Sequence, residues 1–170
     1  MTSPGTQLAS FFAAYEPAIA RLGKALRAKL RARLPGLFEI VYVYANQGAL
    51  VISFSPTKHG YDGVCGMALY PQTVHLFFGQ GALLSKSDPY KLLQGRGKMV
   101  RHVVLDAVAD FDRAEIEVLM SAALKLAKLR LDASAKGSVI IKAEAQKQRA
   151  LRAKKAARPA SARRTAKARR

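Results

Sequence analysis

The carboxyl-terminal segment of this chain carries too much positive charge to fold into a hydrophobic core. Residues 136–170 contain thirteen Lys or Arg residues and one acid, Glu144, which gives this fifth of the sequence a net charge of +12. The first 135 residues account for the other +6 of the total of +18. A segment with so little apolar area cannot offset the entropy cost of folding. The sequence therefore divides into a folded part and a basic tail.

We predict one α+β domain over residues 6–131 and an Ala/Lys/Arg-rich tail over residues 132–170 that is partly helical or disordered. The chain is 50% hydrophobic, which is typical of a globular protein. Its single cysteine, Cys65, excludes an internal disulfide, and its small neighbours favour a buried strand position. No apolar run reaches about eighteen residues, and the amino terminus lacks the cationic start of a secretory signal. We therefore expect no membrane span and a cytoplasmic location.

Two helices are predicted at the amino terminus, over residues 6–15 and 17–34. In the second, apolar residues recur at the spacings of three and four that mark one buried stripe: Ile19, Leu22, Leu26 and Leu30. The dipeptide Pro35-Gly36 ends this helix. Its remaining surface has no acid and is either a solvated face or a contact for a polyanion, because it carries six cations: Arg21, Lys24, Arg27, Lys29, Arg31 and Arg33.

Segments rich in β-branched and aromatic residues follow and predict an antiparallel sheet of four to five strands. These strands are expected at residues 38–45, 49–55, 63–70, 73–79 and 99–105. A last helix is expected to open in capping-box fashion, with Asp112 at its start and Glu115 three residues later. This order predicts an α+β fold in which the N-terminal helices and the C-terminal helix cover the same side of the sheet.

The aromatic residues of segment 38–54 recur at period two, which favours packing in the core. Tyr42 or Tyr44 would instead offer a stacking surface for single-stranded bases if the helices leave that face of the sheet open. The sequence alone does not decide between these two interpretations.

Residues 76–105 contain a distinctive motif of a strand, a glycine turn, Asp-Pro, Leu-Leu and a glycine loop before the last strand. Its elements are Phe78-Gly79, Gly81 to Leu84, Asp88-Pro89, Leu92-Leu93, Gly95, Gly97-Lys98 and Arg101-His102-Val103. This pattern resembles the YdhG-like domain family of bacterial proteins, most of which are uncharacterised. The resemblance implies a frataxin-like layout over residues 6–130. Because some members are described as frataxin-like iron chaperones, it also makes intracellular delivery of iron or another small ligand an alternative function.

The acidic residues do not favour iron delivery, which needs hard carboxylate oxygens clustered on an exposed surface. The first 135 residues hold ten acids among sixteen cations. The closest acidic group includes positions expected to cap helices: Asp106, Asp110, Asp112, Glu115 and Glu117. His59 and His75 have no His or Cys partner at ligand spacing. We therefore predict no metal site and no cofactor.

The glycine loop at residues 95–98 is a possible anion site formed by Arg96, Lys98 and Arg101. It is not a P-loop, because the required glycine is replaced by Leu92 and the required Ser or Thr by Met99. Backbone N–H groups of a glycine turn can still hold one phosphate. In the alternative interpretation the glycines only allow the chain to turn into the last strand.

Arg101 and His102 are adjacent on a strand, so they are expected to point to opposite faces. One of them is a candidate to pair with Asp88 or Glu39 and so lock the glycine loop onto the sheet.

The tail is the strongest functional signal, because Lys and Arg placed against phosphates release counterions without reading sequence. We predict nonspecific binding of DNA or RNA through Lys147, Arg149, Arg152, Lys154, Lys155, Arg158, Arg163, Arg164, Lys167, Arg169 and Arg170. The alternatives are a solvated tail, or an adaptor whose tail meets an acidic protein partner. An enzyme is not expected, since no nucleophile with its base and no cofactor fingerprint stands out.

Overall fold

Four α-helices and six strands make up residues 1–142, the part of the chain that the computed structural model describes. The helices are α1 (Pro4–Phe12), α2 (Pro17–Arg33), α3 (Gly81–Leu84) and α4 (Ala114–Leu126). The strands are β1 (Phe38–Tyr44), β2 (Ala49–Ser55), β3 (Cys65–Leu69), β4 (Val74–Phe78), β5 (Arg101–Leu105) and β6 (Val139–Ile141). Short 3-10 turns join several of them. The α+β class is thus confirmed.

The sheet has six strands in the order β5-β4-β3-β2-β1-β6, and β1 to β5 form an antiparallel meander. The prediction of a purely antiparallel sheet of four to five strands is wrong, because β6 pairs with β1 in parallel and makes the sheet mixed. Residues 139–141 fall within the predicted basic tail. Their three β-branched side chains suit a strand, and the free edge of β1 offers unpaired backbone groups to bind them. The sheet therefore reaches into the segment that composition marks as tail.

Helix α2 packs directly on the middle of the sheet. A Cβ atom on Gly23 would lie only 2.7 Å from a methyl carbon of Leu69, so the glycine allows the helix axis to approach β3. Leu26 and Leu30 are fully buried beneath it. Ion pairs join α2 to the segment around α4, between Lys29 and Asp112 and between Arg33 and Glu117. Together with α4, this helix covers one face of the sheet, whose buried side chains include Val41, Ile52, Met67, Leu76 and Val103.

The predicted capping box of the last helix is wrong. Helix α4 begins after Arg113, which makes no side-chain cap. The Asp112 carboxylate instead accepts a hydrogen bond from Lys29 Nζ at 2.5 Å. Asp110 accepts from the backbone N–H groups of Asp106 and Ala107, both at 2.9 Å, and these bonds lower the pKa of its carboxyl group. Asp112 and Glu115 have the spacing of a capping box, but the Asp112 side chain forms a long-range ion pair with Lys29 and does not cap the helix.

No helix of residues 1–142 covers the second face of the sheet. Side chains alternate along a strand, so the residues between the core positions point to this side, here called the open face. The loop of residues 56–63, between β2 and β3, folds across part of it. Ser55 Oγ donates to the carbonyl oxygen of His59 within this loop at 2.8 Å, and Lys142 Nζ donates to the carbonyl oxygen of Lys58 at 2.8 Å. Within the described residues, Tyr44 is exposed on this face, whereas Ile40, Ser53 and Ala68 are buried.

Candidate functional site

A groove of about 600 Å³ lies on the open face, between the loop 56–63 and the sheet. Tyr42 and Tyr44 of β1 line one side of it, and Phe77 of β4 lines the other. Tyr61, from the loop, stands at its rim. The groove thus presents aromatic rings from three separate segments of the chain.

Val51 and Ser53 of β2 line the groove between the aromatic side chains. The register places Tyr42 beside Val51, Val51 beside Ala68, and Ala68 beside His75. The neighbouring row runs from Ser53 through Gly66 to Phe77 and His102. The large aromatic rings come from β1 and β4, and the smaller side chains of Val51 and Ser53 lie between them on β2. The groove lies between these rings.

Gly66 sets the position of the Phe77 ring. A Cβ atom on Gly66 would lie 2.6 Å from Phe77 Cζ and 2.2 Å from the carbonyl oxygen of Ile52, so no other residue fits without displacing backbone. The ring therefore lies directly over the glycine, against the sheet. Phe77 is only partly buried, which leaves part of the ring accessible from the groove.

The tyrosines at the groove are the most exposed aromatic residues near the sheet. Tyr61 is 83% exposed and stacks on the His59 ring, with centroids 5.2 Å apart and planes 21° apart. Tyr44 is 39% exposed, and its ring centroid lies 6.2 Å from that of Tyr42. The core-packing interpretation of segment 38–54 therefore fails for Tyr44, whereas Tyr42 is partly buried. The face that would allow stacking is the one that the helices leave open.

A second aromatic cluster continues across the open face toward β5. The imidazole rings of His75 and His102 stack in parallel, with centroids 4.4 Å apart and planes 4° apart. Tyr70 packs on the other side, 4.8 Å from His75. Burial lowers the pKa of both histidines, and the neighbouring His102 lowers that of His75 further. Sequence reasoning missed this pair, because the strand register that brings the two rings together is set by long-range pairing.

The glycine loop at residues 95–98 closes the β5 edge of the sheet. Gln94 and His102 exchange two backbone hydrogen bonds, at 2.8 and 2.9 Å, which tie the segment before the loop to β5. Arg101 donates from one guanidinium nitrogen to the carbonyl oxygens of Gly97 and Val100. Of the three predicted anion ligands, Arg101 thus holds the loop in place, while Arg96 and Lys98 are exposed.

The expected locking of this loop by a carboxylate does not occur. The Asp88 carboxylate accepts from the backbone N–H of Leu93 at 2.9 Å. Glu39 lies on the helical face and pairs with Arg27 at 2.6 Å and with Arg31 at 3.1 Å. Neither carboxylate contacts Arg101 or His102. Asp88 accepts a backbone hydrogen bond, and Glu39 is paired with two arginines of α2.

The cations of α2 are largely neutralised by the protein itself. Four of the six are in ion pairs: Arg27 and Arg31 with Glu39, Lys29 with Asp112, and Arg33 with Glu117. Within residues 1–142, Arg21 and Lys24 form no ion pair and are exposed. The surface of this helix that could contact a polyanion is therefore limited to Arg21 and Lys24, near its amino end.

Cys65 is fully buried on the helical face, and burial raises the pKa of its thiol to about 12. The thiol is therefore protonated at neutral pH, which fits the structural role expected for this residue. No group of three or more His, Cys, Asp or Glu side chains in the described part of the chain is arranged to hold a metal ion. Among residues 1–142, no helix is both long and apolar enough to cross a membrane.

The eleven tail residues predicted to contact phosphates, from Lys147 to Arg170, lie outside the described residues. Lys142, the last described residue, lines the groove beside Tyr42 and Tyr44. The basic segment therefore begins at the rim of the aromatic surface. No protein-family model matches the chain, and no similar curated protein or solved structure is found.

Proposed function

We propose that this protein binds nucleic acid without sequence specificity, through phosphate contacts made by its basic carboxyl-terminal segment. The observation that carries the proposal is where the net positive charge of the sequence lies. Residues 143–170 hold eleven Lys or Arg residues against Glu144, a net charge of +10 in 28 residues. The cations of α2, in contrast, are mostly paired with the protein's own carboxylates. A polyanion with regularly spaced phosphates is the partner that such a segment neutralises best.

The test is the salt dependence of binding to a short DNA duplex. Each phosphate contact contributes about −0.9 to the slope of log K against log salt concentration. A tail-neutral variant, in which the eleven Lys and Arg residues of 143–170 become Gln, should lose both the affinity and the slope. The matched control is Arg21→Gln with Lys24→Gln, which removes two exposed cations from α2. An unchanged slope in the tail-neutral variant contradicts the proposal.

Substitution is preferred to deletion because of β6. Removing residues 136–170 would also remove Val139–Ile141 and their pairing with β1, and so would perturb the sheet along with the charge. Gln substitutions beyond Lys142 leave this strand intact.

Membership of the YdhG-like family, a frataxin-like layout and a cytoplasmic location remain proposals that rest on the motif of residues 76–105 and on composition. The iron-carrier alternative gains no support from the acidic residues near α4. Asp112 and Glu117 are in ion pairs with α2, and Asp110 binds backbone N–H groups. The adaptor alternative differs from nucleic-acid binding in one outcome, since a complex with an acidic protein would survive nuclease treatment.

A further inference from the structure

We propose that the nucleic acid is single-stranded, and that its bases stack in the groove of the open face. This inference rests on the proposed function and names its substrate class. It concerns the aromatic surface formed by Tyr44, Tyr61 and Phe77, which the phosphate contacts of the tail do not explain.

The exposure of the aromatic side chains is the first argument. Tyr61 and Tyr44 are 83% and 39% exposed, and Tyr61 is held in place by stacking on His59. Large rings left in water at a groove mark a binding surface more often than a structural need. Accessible aromatic faces beside cations are the features with which proteins bind unpaired bases.

The shape of the groove is the second argument. Val51 and Ser53 lie between the β1 tyrosines and Phe77 in a groove of about 600 Å³, which leaves space for a planar ring between the aromatic side chains. Gly66 lets the Phe77 ring lie against the sheet, where one of its faces is available. The five strands from β1 to β5 span about 20 Å at the usual strand spacing, which is room for several nucleotides.

The charge around the groove is the third argument. Lys58 and Lys142 lie at the β1 side, and the tail continues from there with ten net positive charges. Arg96 and Lys98 are exposed in the loop next to β5, where Gly95 packs against His102. A strand that crosses the open face therefore meets cations at both ends and aromatic rings between them.

A duplex does not meet these requirements, because its bases are stacked on each other and their faces are hidden. Phosphate contacts alone would favour the duplex, because its charge density is higher than that of a single strand. Stacking in the groove adds affinity only for unpaired bases. A preference for the single strand that depends on the groove tyrosines is therefore the signature of this inference.

The test compares the full-length protein with a Tyr44→Ala/Tyr61→Ala variant, using a fluorescein-labelled oligothymidylate of about twenty nucleotides and a duplex of equal length. The matched control is Tyr90→Ala, which removes a tyrosine that is 56% exposed and does not line the groove. The groove variant should bind the oligothymidylate at least about tenfold more weakly. It should keep its duplex affinity and its salt slope, and the control should bind both probes normally.

Each other outcome has a defined meaning. If the groove variant binds the single strand normally while the tail-neutral variant loses both probes, the open face is not the site and the proposed function stands. If the unmodified protein binds neither probe, both proposals fail. If neutralising the tail raises affinity for the single strand, the tail itself occupies the groove and the inference is wrong.

A second measurement on the unmodified protein guards against a folding defect in the variant. The chain contains no tryptophan, so tyrosine dominates its emission. Stacked bases should quench part of that emission on titration with oligothymidylate, and the duplex should not. Equal quenching by the two probes would overturn the inference.

Discussion

Lys142 Nζ donates a hydrogen bond to the carbonyl oxygen of Lys58 at 2.8 Å and so joins the end of β6 to the loop that borders the groove. This contact places the start of the basic segment beside the aromatic residues of the open face. Lys58 and Lys142, which are 84 positions apart in sequence, become neighbours at the edge of the groove. The proposed function uses the basic segment, and the further inference uses both this segment and the aromatic residues.

Replacing Lys142 with Ala should loosen the loop of residues 56–63 without unfolding the domain. The lost hydrogen bond is exposed, so we expect a loss of about 0.5 kcal/mol in the free energy of unfolding, the low end for an intramolecular hydrogen bond. Amide hydrogen exchange should become faster in this loop and stay unchanged in α2. Equal exchange rates in both proteins would show that the bond does not hold the loop.

Replacing Glu39 with Gln should destabilise the fold more than any other single carboxylate change in the described part of the chain. Its side chain is only 5% exposed, and it is shared by Arg27 and Arg31. Because both arginines are partly exposed, we expect a loss of about 1–3 kcal/mol, less than for a fully buried pair. Glu117→Gln is the control, since that carboxylate is 53% exposed and its pair with Arg33 should matter little. Urea unfolding of the two variants would check this ranking, and the reverse order would contradict it.

Replacing Gly66 with Ala should disturb the position of Phe77, which lines the groove. The new methyl group would lie 2.2 Å from the Ile52 carbonyl oxygen, so backbone must move, and we expect a loss of about 1–3 kcal/mol. The matched change Gly97→Ala places its methyl group no closer than 3.6 Å to the atoms around it and should cost little. Thermal unfolding would measure both. Similar melting temperatures would mean that β3 and Phe77 accommodate a side chain.

The stability of the domain should fall as the pH is lowered from 7.5 to 5.5. Burial lowers the pKa of His75 and His102 below the unfolded value near 6.5. The unfolded chain therefore binds protons that the folded chain does not. The resulting stability is fully present above that value and is lost as the pH falls below it toward the folded pKa values.

The variant His75→Gln should flatten this part of the pH profile. Asp110 and Glu117 have lowered pKa values, so they become protonated and lose their contribution to stability only at lower pH. They therefore do not affect the change expected between pH 7.5 and 5.5. Urea midpoints at several pH values provide the measurement. A flat profile in the unmodified protein would contradict the stacking of two neutral rings.

Local patterns were enough to predict most of the elements. The three-and-four spacing from Ile19 to Leu30 located α2, and the alternating segments located β1 to β5 within a few residues. These signals are local, because each follows from the period of one element. β6 could not be predicted, because three residues are too few to show the period of a strand. The Lys, Arg and Ala residues that follow also give the whole segment the composition of a basic tail.

The groove itself could not be predicted from sequence. Tyr42 and Tyr44 were considered as a stacking surface, but which face the helices cover depends on long-range packing. The stacking of His75 on His102 follows from strand register, and the pairing of α2 cations with Glu39, Asp112 and Glu117 is set by tertiary contacts. These three features determine which cations are unpaired and which aromatic rings are exposed in the described part of the chain. They depend on tertiary contacts, which the spacing of residues in the sequence does not predict.

The most direct test of the account is photo-crosslinking of the full-length protein to an oligothymidylate that contains 4-thiothymidine, with the cross-linked peptides mapped by mass spectrometry. We expect adducts in β1 near Tyr44, in the loop 56–63 at Tyr61, and in the basic segment after Lys142. The tail-neutral variant should lose these adducts as its affinity falls. Adducts confined to the helical face, or an equal yield from the tail-neutral variant, would contradict the account.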